Sequence, residues 1–549
     1  MSLISRLRQS RLSAGRIGWR RAGGWVLTAL AAVLVLVVLV APSEVSRLTP
    51  AAFLRIPLDG LLAVAILLLL PPKARRIATP VVGLIFGALA VLKILSLGFS
   101  AILDRPFDPV LDWSFLQSGL TYLRLSNGTA TATIVAIVAV LLAVAVLVAV
   151  MLSVRRLIRL VAERRRVSVL TVAVLATGWL ILAPAGVQIV PNVPVAASDG
   201  YDRLHQAQVS VQTEREFTAA ASVDAFRDVP GPKLLTSLRG KDVVLAFVES
   251  YGRAALDRPE IAPQIDEVLA RGGERLHTAG YAARSGFLTS PTIGGGSWLA
   301  QSTLLSGLWI DNQQRYRTLV GGDRMTLNSA FRKADWRTVA VMPATVADFP
   351  EGKFFGYDQI YASKDLAYRG PLYAFAMMPD QYTLSKFQRA ERASSQHAPV
   401  MATIPLISSH APWEPVPTMI DWANVGDGSG FEAKSGAGDS ADLVFHRDPA
   451  RLRADYRTAI AYSLENLISY VETYGDDDLV LVFLGDHQPA PAVTGPNAGR
   501  DVPITIVARD PAVLDRISGW GWTDGLKPAP DAPVWRMDTF RDRFLTAFS

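Results

Sequence analysis

Leu479-Val480-Leu481-Val482-Phe483-Leu484-Gly485-Asp486-His487 is the stretch whose reading decides the fold. Six apolar residues in a row, without alternation and of strand length, describe a strand buried on both faces. Before it, 455–474 places Ala459, Tyr462, Leu464, Leu467 and Val471 at helical spacing. Working outward, 243–248, 338–342, 400–406 and 504–508 are short apolar runs of the same kind, with helical stretches between them. Apolar strands alternating with helices predict an α/β domain whose central sheet is mostly parallel and covered on both faces. The Gly/Ser/Asp-rich segments 426–440 and 494–500 read as loops over that core.

In such a sheet, ligands sit beyond the carboxyl ends of the strands. Three strands deliver chemistry there. The run 243–248 ends in Glu249-Ser250-Tyr251-Gly252, 400–406 leads to Ser408-Ser409-His410-Ala411-Pro412-Trp413, and 479–484 ends in Gly485-Asp486-His487. The chain has 6 His, and two fall at this edge. Each residue alone reads as an ordinary cap of the next element; together, oxygen and imidazole donors suit Zn or Mn. The absence of Cys excludes disulfides, cysteine-ligated metals and a thiol nucleophile.

The hydroxyl is supplied by Gly294-Gly295-Gly296-Ser297, which opens an apolar helix ending near Gly307. A serine there faces the unpaired N–H groups and positive end of a helix, where phosphate also binds. Ser297 is either an N-cap or, with a cation beside it, a nucleophile.

The first third of the chain has another composition. Half of all residues are hydrophobic and 19% are charged, less charge than the roughly 25% of soluble domains. Five apolar stretches, 24–41, 52–70, 81–103, 131–154 and 167–190, approach the roughly 20 residues that cross a bilayer. The first reads as a retained helix, since its run is long for a cleaved signal and lacks a clear cleavage site. Basic residues cluster at Arg6–Arg21, at Lys73, Arg75 and Arg76, and at 155–166. With five crossings these segments share one side, which the positive-inside rule makes cytoplasmic. The remainder of the chain is acidic, because these segments hold more positive charge than the net +6; the basic balance is a topology signal, and nucleic acid is excluded as a partner. Lys93 is the one strongly placed charge inside a span and reads as snorkelling or headgroup-paired, which argues against a channel or secondary transporter. The expected organisation is a transmembrane domain at 1–190, a linker with helical content at 191–240, and an extracytoplasmic domain at 241–549. The aromatic loop 104–127, with Phe107, Trp113, Phe115 and Tyr122, reads as an interfacial anchor.

The order Glu-Ser-Tyr-Gly at 249–252, Gly-Ser-x-x-Ala-x-Ser at 296–302, His-x-Pro-Trp at 410–413 and Gly-Asp-His at 485–487 resembles the alkaline phosphatase/sulfatase superfamily. Five spans before one external domain resemble its membrane-bound branch of lipoteichoic acid synthases, phosphoglycerol transferases and phosphoethanolamine transferases. The resemblance implies that Glu249, Asp486, His487 and Ser297 bind one divalent metal, Mn or Zn with Mg as a further option. It implies that Ser297 is the nucleophile and that His410 contacts the phosphate or protonates the leaving group. Asp380 is a weaker neighbour. The implied function is transfer of a phospho-alcohol from a membrane phospholipid to an envelope glycan or lipid, at a bacterial-type inner membrane. The alternatives are a phosphodiesterase or phosphatase on the same site, or a non-catalytic envelope protein.

Departures from the pattern are specific. Membrane members usually carry Thr where Ser297 stands. The family's His and Trp substrate contacts are missing from Met342-Pro343-Ala344-Thr345-Val346-Ala347-Asp348-Phe349, and Gln488-Pro489 follows where Gly is usual. The missing His and Trp contacts count against glycerol phosphate as the transferred group. No Ser-x-Pro-x-Arg signature stands at Ser297, which argues against a formylglycine sulfatase.

Overall fold

The computed structural model describes residues 23–190, 193–194, 196–197, 199–346, 348–373, 378–394, 396–433, 448–495 and 498–549. The N-terminal arginines and parts of the loops 426–440 and 494–500 lie outside the described residues. The chain divides into two compact units, and the second takes up the chain from Gln212, inside the helix Asp199–Ser222.

The first unit contains α1 (Gly23–Val40), α2 (Leu58–Leu69), α3 (Pro72–Leu103), α4 (Gly128–Glu163) and α5 (Arg165–Leu182). Four of these are long and apolar enough to cross a membrane; α2 is not. Its 12 residues span about 18 Å, against a hydrocarbon core of about 30 Å. Proline sets both limits: Pro57 precedes the helix, and Pro71 and Pro72 follow it. Val140, Leu141 and Leu142 on α4 and Leu170, Val174 and Leu180 on α5 are exposed. Apolar surface of that extent on the outside calls for an apolar solvent.

Basic residues expected in loops are helical instead. Lys73, Arg75 and Arg76 open α3, and Arg155, Arg156 and Arg159 ride on α4. The segment read as an aromatic loop is partly a helix from Trp113, separated from α4 by a break at Gly128, φ 84°. Phe107 is buried, 5.0 Å from the Phe99 ring and 5.2 Å from Trp113, so it packs within the unit. Lys93 is also buried, with Nζ donating to the Ala41 carbonyl at 2.7 Å, at the negative end of α1. Gly83 and Gly87 let α3 approach α4 closely: a Cβ there would lie 2.8 Å from Met151 Cα and 3.0 Å from Leu147 Cα.

The second unit is built on a nine-stranded sheet. In chain order its strands are β1 (Asp242–Val248), β2 (Ala282–Thr289), β3 (Arg337–Met342), β4 (Gln359–Ala362), β5 (Val400–Leu406), β6 (Leu479–Gly485), β7 (Asp501–Ala508), β8 (Thr523–Asp524) and β9 (Val534–Arg536). The spatial order is β8-β2-β7-β6-β1-β5-β3-β4, with β9 paired to β2. The pairs β6–β1, β1–β5, β5–β3 and β3–β4 are parallel, and β7 runs opposite to both its neighbours. The central strands are buried throughout, which is why their sequences do not alternate. On one face Val244, Ala246, Ile404, Leu481 and Phe483 pack under α6 (Ala262–Thr278) and α8 (Pro449–Tyr474).

Candidate metal and nucleophile site

Register brings the site together. Val248 at the end of β1 pairs with Gly485 of β6 on one side and Leu406 of β5 on the other. Glu249, Asp486 and Ile407 therefore leave the sheet side by side. Ser250 turns sharply with φ 58°. In that conformation its N–H donates to Asp486 Oδ1 at 2.8 Å and its Oγ to Glu249 Oε1 at 2.9 Å. Gly485 permits the close contact, since a Cβ there would meet the Tyr251 carbonyl at 1.8 Å.

Ser297 arrives from the loop after β2. Ile293 bridges to Gln488, and Gly294 N–H donates to the Gln488 carbonyl at 2.8 Å, so this loop is clamped to the residues after His487. Ser297 then opens α7 (Ser297–Ser306), preceded by Gly296 with φ 81° and closed by Gly307 with φ 67°. Its hydroxyl makes no N-cap bond. Oγ donates to Glu249 Oε2 at 2.8 Å and lies 3.3 Å from His487 Nε2.

The remaining bonds orient the cluster. His487 Nδ1 is 2.9 Å from the Gln488 carbonyl; a carbonyl only accepts, so Nδ1 carries a proton and Nε2 is turned to the carboxylates. Nε2 lies 3.3 Å from Glu249 Oε1 and 3.7 Å from Asp486 Oδ2. Burial, and then the charge of Glu249, pushes the Asp486 carboxyl up to about 7. Burial opposes a charged His487, but Asp486 and Glu249 outweigh it and push the imidazole up to about 9. Burial also opposes ionised Glu249; the imidazoles His487 and His410 overcome that and hold it well below the usual range.

The donor set fits a divalent ion. Ligand atoms of Glu249, Asp486 and His487, all buried, lie within 4.8 Å of one another, and no other such group occurs among the described residues. Two carboxylates, one imidazole and an adjacent hydroxyl suit Zn or Mn.

A cavity of about 320 Å³ opens in front of Ser297. Glu249, Ser297 and His410 face it, with Gln301, Ser302 and Thr345 as further polar groups. Trp298, Tyr316, Phe349, Phe355 and Tyr357 form an aromatic wall that strand-end reading missed. His410 Nδ1 donates to the Ala411 carbonyl at 2.6 Å. Asp380 is not on this cavity. Its Oδ1 accepts from Ile407 N–H at 2.8 Å and Ser408 N–H at 2.9 Å, and its Oδ2 from Ser463 Oγ at 2.6 Å. It anchors the loop that carries His410. From the same loop, Ser409 Oγ donates to the Glu249 carbonyl at 2.6 Å. Neither bond has a signature in spacing.

A hydroxyl at a helix start thus stands beside a buried carboxylate–imidazole cluster at the carboxyl edge of a mostly parallel sheet, as the resemblance to the alkaline phosphatase/sulfatase superfamily implies. Residues 241–501 match the Sulfatase family model. No match is found among curated proteins. Among solved structures, the chain is similar to the lipoteichoic acid synthase LtaP from Listeria monocytogenes, at 15% identity over 54% of this chain and 70% of that one, TM-score 0.34. It is similar to the soluble domain of lipooligosaccharide phosphoethanolamine transferase A from Neisseria meningitidis, at 16% identity over 57% and 88%, TM-score 0.38. A further likeness is to the phosphoglycerol transferase GacH from Streptococcus pyogenes, at 12% identity over 61% and 90%, TM-score 0.34.

Proposed function

We propose that the protein is a membrane-anchored, metal-dependent transferase that moves a phospho-alcohol from a membrane phospholipid to an envelope glycan or lipid through a phosphorylated Ser297. The observation that carries this reading is the Ser297 hydroxyl, held between Glu249 and His487 at the mouth of the cavity. Glu249, Asp486, His487 and Ser297 are the residues that would hold the ion, Mn or Zn. When bound, a divalent cation supplies Lewis-acid polarisation and neutralises charge building up on phosphate oxygens.

The chain's own residues account for the rest. Glu249 Oε2 faces the Ser297 hydroxyl proton. Ser297 Oγ forms a bond to phosphorus as the bond to the diacylglycerol oxygen breaks, and His410 gives that oxygen its proton. The acceptor hydroxyl then attacks the same phosphorus, the bond to Oγ breaks, and Ser297 regains a proton. The cavity is of a size for a lipid headgroup, with the acyl chains left in the bilayer. The proposed topology has a cytoplasmic N-terminus and the domain 241–549 outside, at a bacterial-type inner membrane; it requires α2, shorter than a full span, to serve with its flanking residues as a fifth crossing.

Incubation with labelled phosphatidylglycerol and phosphatidylethanolamine tests the reading. Transfer places headgroup label on an acceptor; release of all label to water shows a hydrolase. Abolished turnover in Ser297→Ala supports the nucleophile, and full turnover in that variant rejects it.

A further inference from the structure

The first unit holds a groove between α1 and α4 that catalysis does not use. Its volume is about 420 Å³. Leu27, Leu30 and Leu34 on α1 follow helical spacing, and so do Leu152, Arg155, Arg156 and Arg159 on α4. The two stripes face each other along a trough that is apolar at one end and cationic at the other. Arg156 is committed to α1: Nε donates to Thr28 Oγ1 at 2.9 Å and Nη2 to the Gly24 carbonyl. Arg155 and Arg159, one helical turn apart, are exposed and make no ion pair among the described residues. Arg156 thus closes the trough while its neighbours present two guanidiniums at its rim.

We propose that this groove is a binding site for one anionic phospholipid, its headgroup phosphate held by Arg155 and Arg159 and one acyl chain laid along Leu27, Leu30, Leu34 and Leu152. Charge complementarity selects the occupant. Guanidinium forks match phosphate oxygens, and Leu27, Leu30 and Leu152 are more than half exposed, so they need an apolar cover. Basic pockets between membrane helices bind anionic headgroups for this reason. The site rests on the membrane reading and not on the catalytic one, and lipid retention is read separately from turnover.

Native mass spectrometry of the full chain, released from detergent with added dioleoylphosphatidylglycerol or dioleoylphosphatidylcholine, tests it. The wild type retains the anionic lipid in preference to the zwitterionic one. Arg155→Gln with Arg159→Gln retains one lipid fewer, with affinity lowered about 30-fold if each arginine contributes as a headgroup-level cation does. Arg164→Gln with Arg165→Gln removes the same charge beyond the groove and leaves retention unchanged. Leu30→Trp fills the trough and blocks the lipid without altering charge. Equal losses in the two double variants mean bulk attraction to the leaflet and overturn the site; so does equal retention of the two lipids, or no effect of Leu30→Trp.

Discussion

Replacing Asp380 by Ala should detach the loop that carries His410. The carboxylate accepts from three buried donors: the N–H groups of Ile407 and Ser408, and Ser463 Oγ. Each donor left without an acceptor costs about 1–3 kcal/mol, so the loss is about 3–9 kcal/mol, toward the lower end where the loop can shift. For a domain of this size each kcal/mol lowers Tm by about 2–4 °C, which makes a fall of roughly 6 °C or more. Asp380→Asn isolates the cause. Its carbonyl still accepts both N–H groups, and Ser463 Oγ can turn to accept from the amide. Burial raises the Asp380 carboxyl above its ordinary 3.8. Ionising a group with a raised folded value costs stability as pH rises through it. Asp380→Asn therefore melts at or above wild type at neutral pH, and this advantage fades in acid. Thermal unfolding of the detergent-solubilised chain, paired with turnover, reads both effects. Asp380→Ala loses kcat through a misplaced His410, and Asp380→Asn keeps most of it. If the two variants behave alike, or Asp380→Ala melts with wild type, Asp380 does not hold this loop.

The cluster makes stability and metal affinity depend on pH. Asp486 and His487 are raised from 3.8 to about 7 and from 6.5 to about 9, so their contribution in chelated protein is lost as pH climbs, that of Asp486 between about 4 and 7 and that of His487 between about 6.5 and 9. Melting in EDTA should show that decline, and Mn or Zn should remove it; metal affinity rises over the same window as protons leave the ligands. His410→Gln lowers turnover while the metal content found by elemental analysis stays at the wild-type value, whereas His487→Ala loses the metal. Gly83→Val with Gly87→Val forces α3 off α4 and lowers Tm by several degrees, while Gly98→Val, whose Cβ meets nothing within 4 Å, leaves Tm unchanged.

Legibility in the sequence followed the physics of burial. β1, β5 and β6 were readable because strands buried on both faces are continuous apolar runs, and the residue after each run names the chemistry. β2 escaped because Arg284, Ser285 and Gly286 interrupt it. Ser285 is buried with its Oγ 3.0 Å from Thr505 Oγ1 and donating to the Gly525 carbonyl, and a Cβ on Gly286 would meet Trp522 Nε1 at 2.6 Å. Those partners lie over two hundred residues downstream. Separation along the chain also hid the role of Asp380, whose donors stand 27, 28 and 83 residues downstream, in a loop and a helix. In the first unit hydropathy marked the apolar stretches but not the limits of α2, which its prolines impose, nor the Ala41 carbonyl that receives Lys93.

The most direct measurement is peptide mass analysis of the full chain after brief incubation with phosphatidylglycerol or phosphatidylethanolamine in the presence of Mn or Zn. The account predicts a phospho-alcohol adduct on Ser297 that is absent from Ser297→Ala and disappears when acceptor is added. An adduct on another residue, or wild-type turnover by Ser297→Ala, contradicts it.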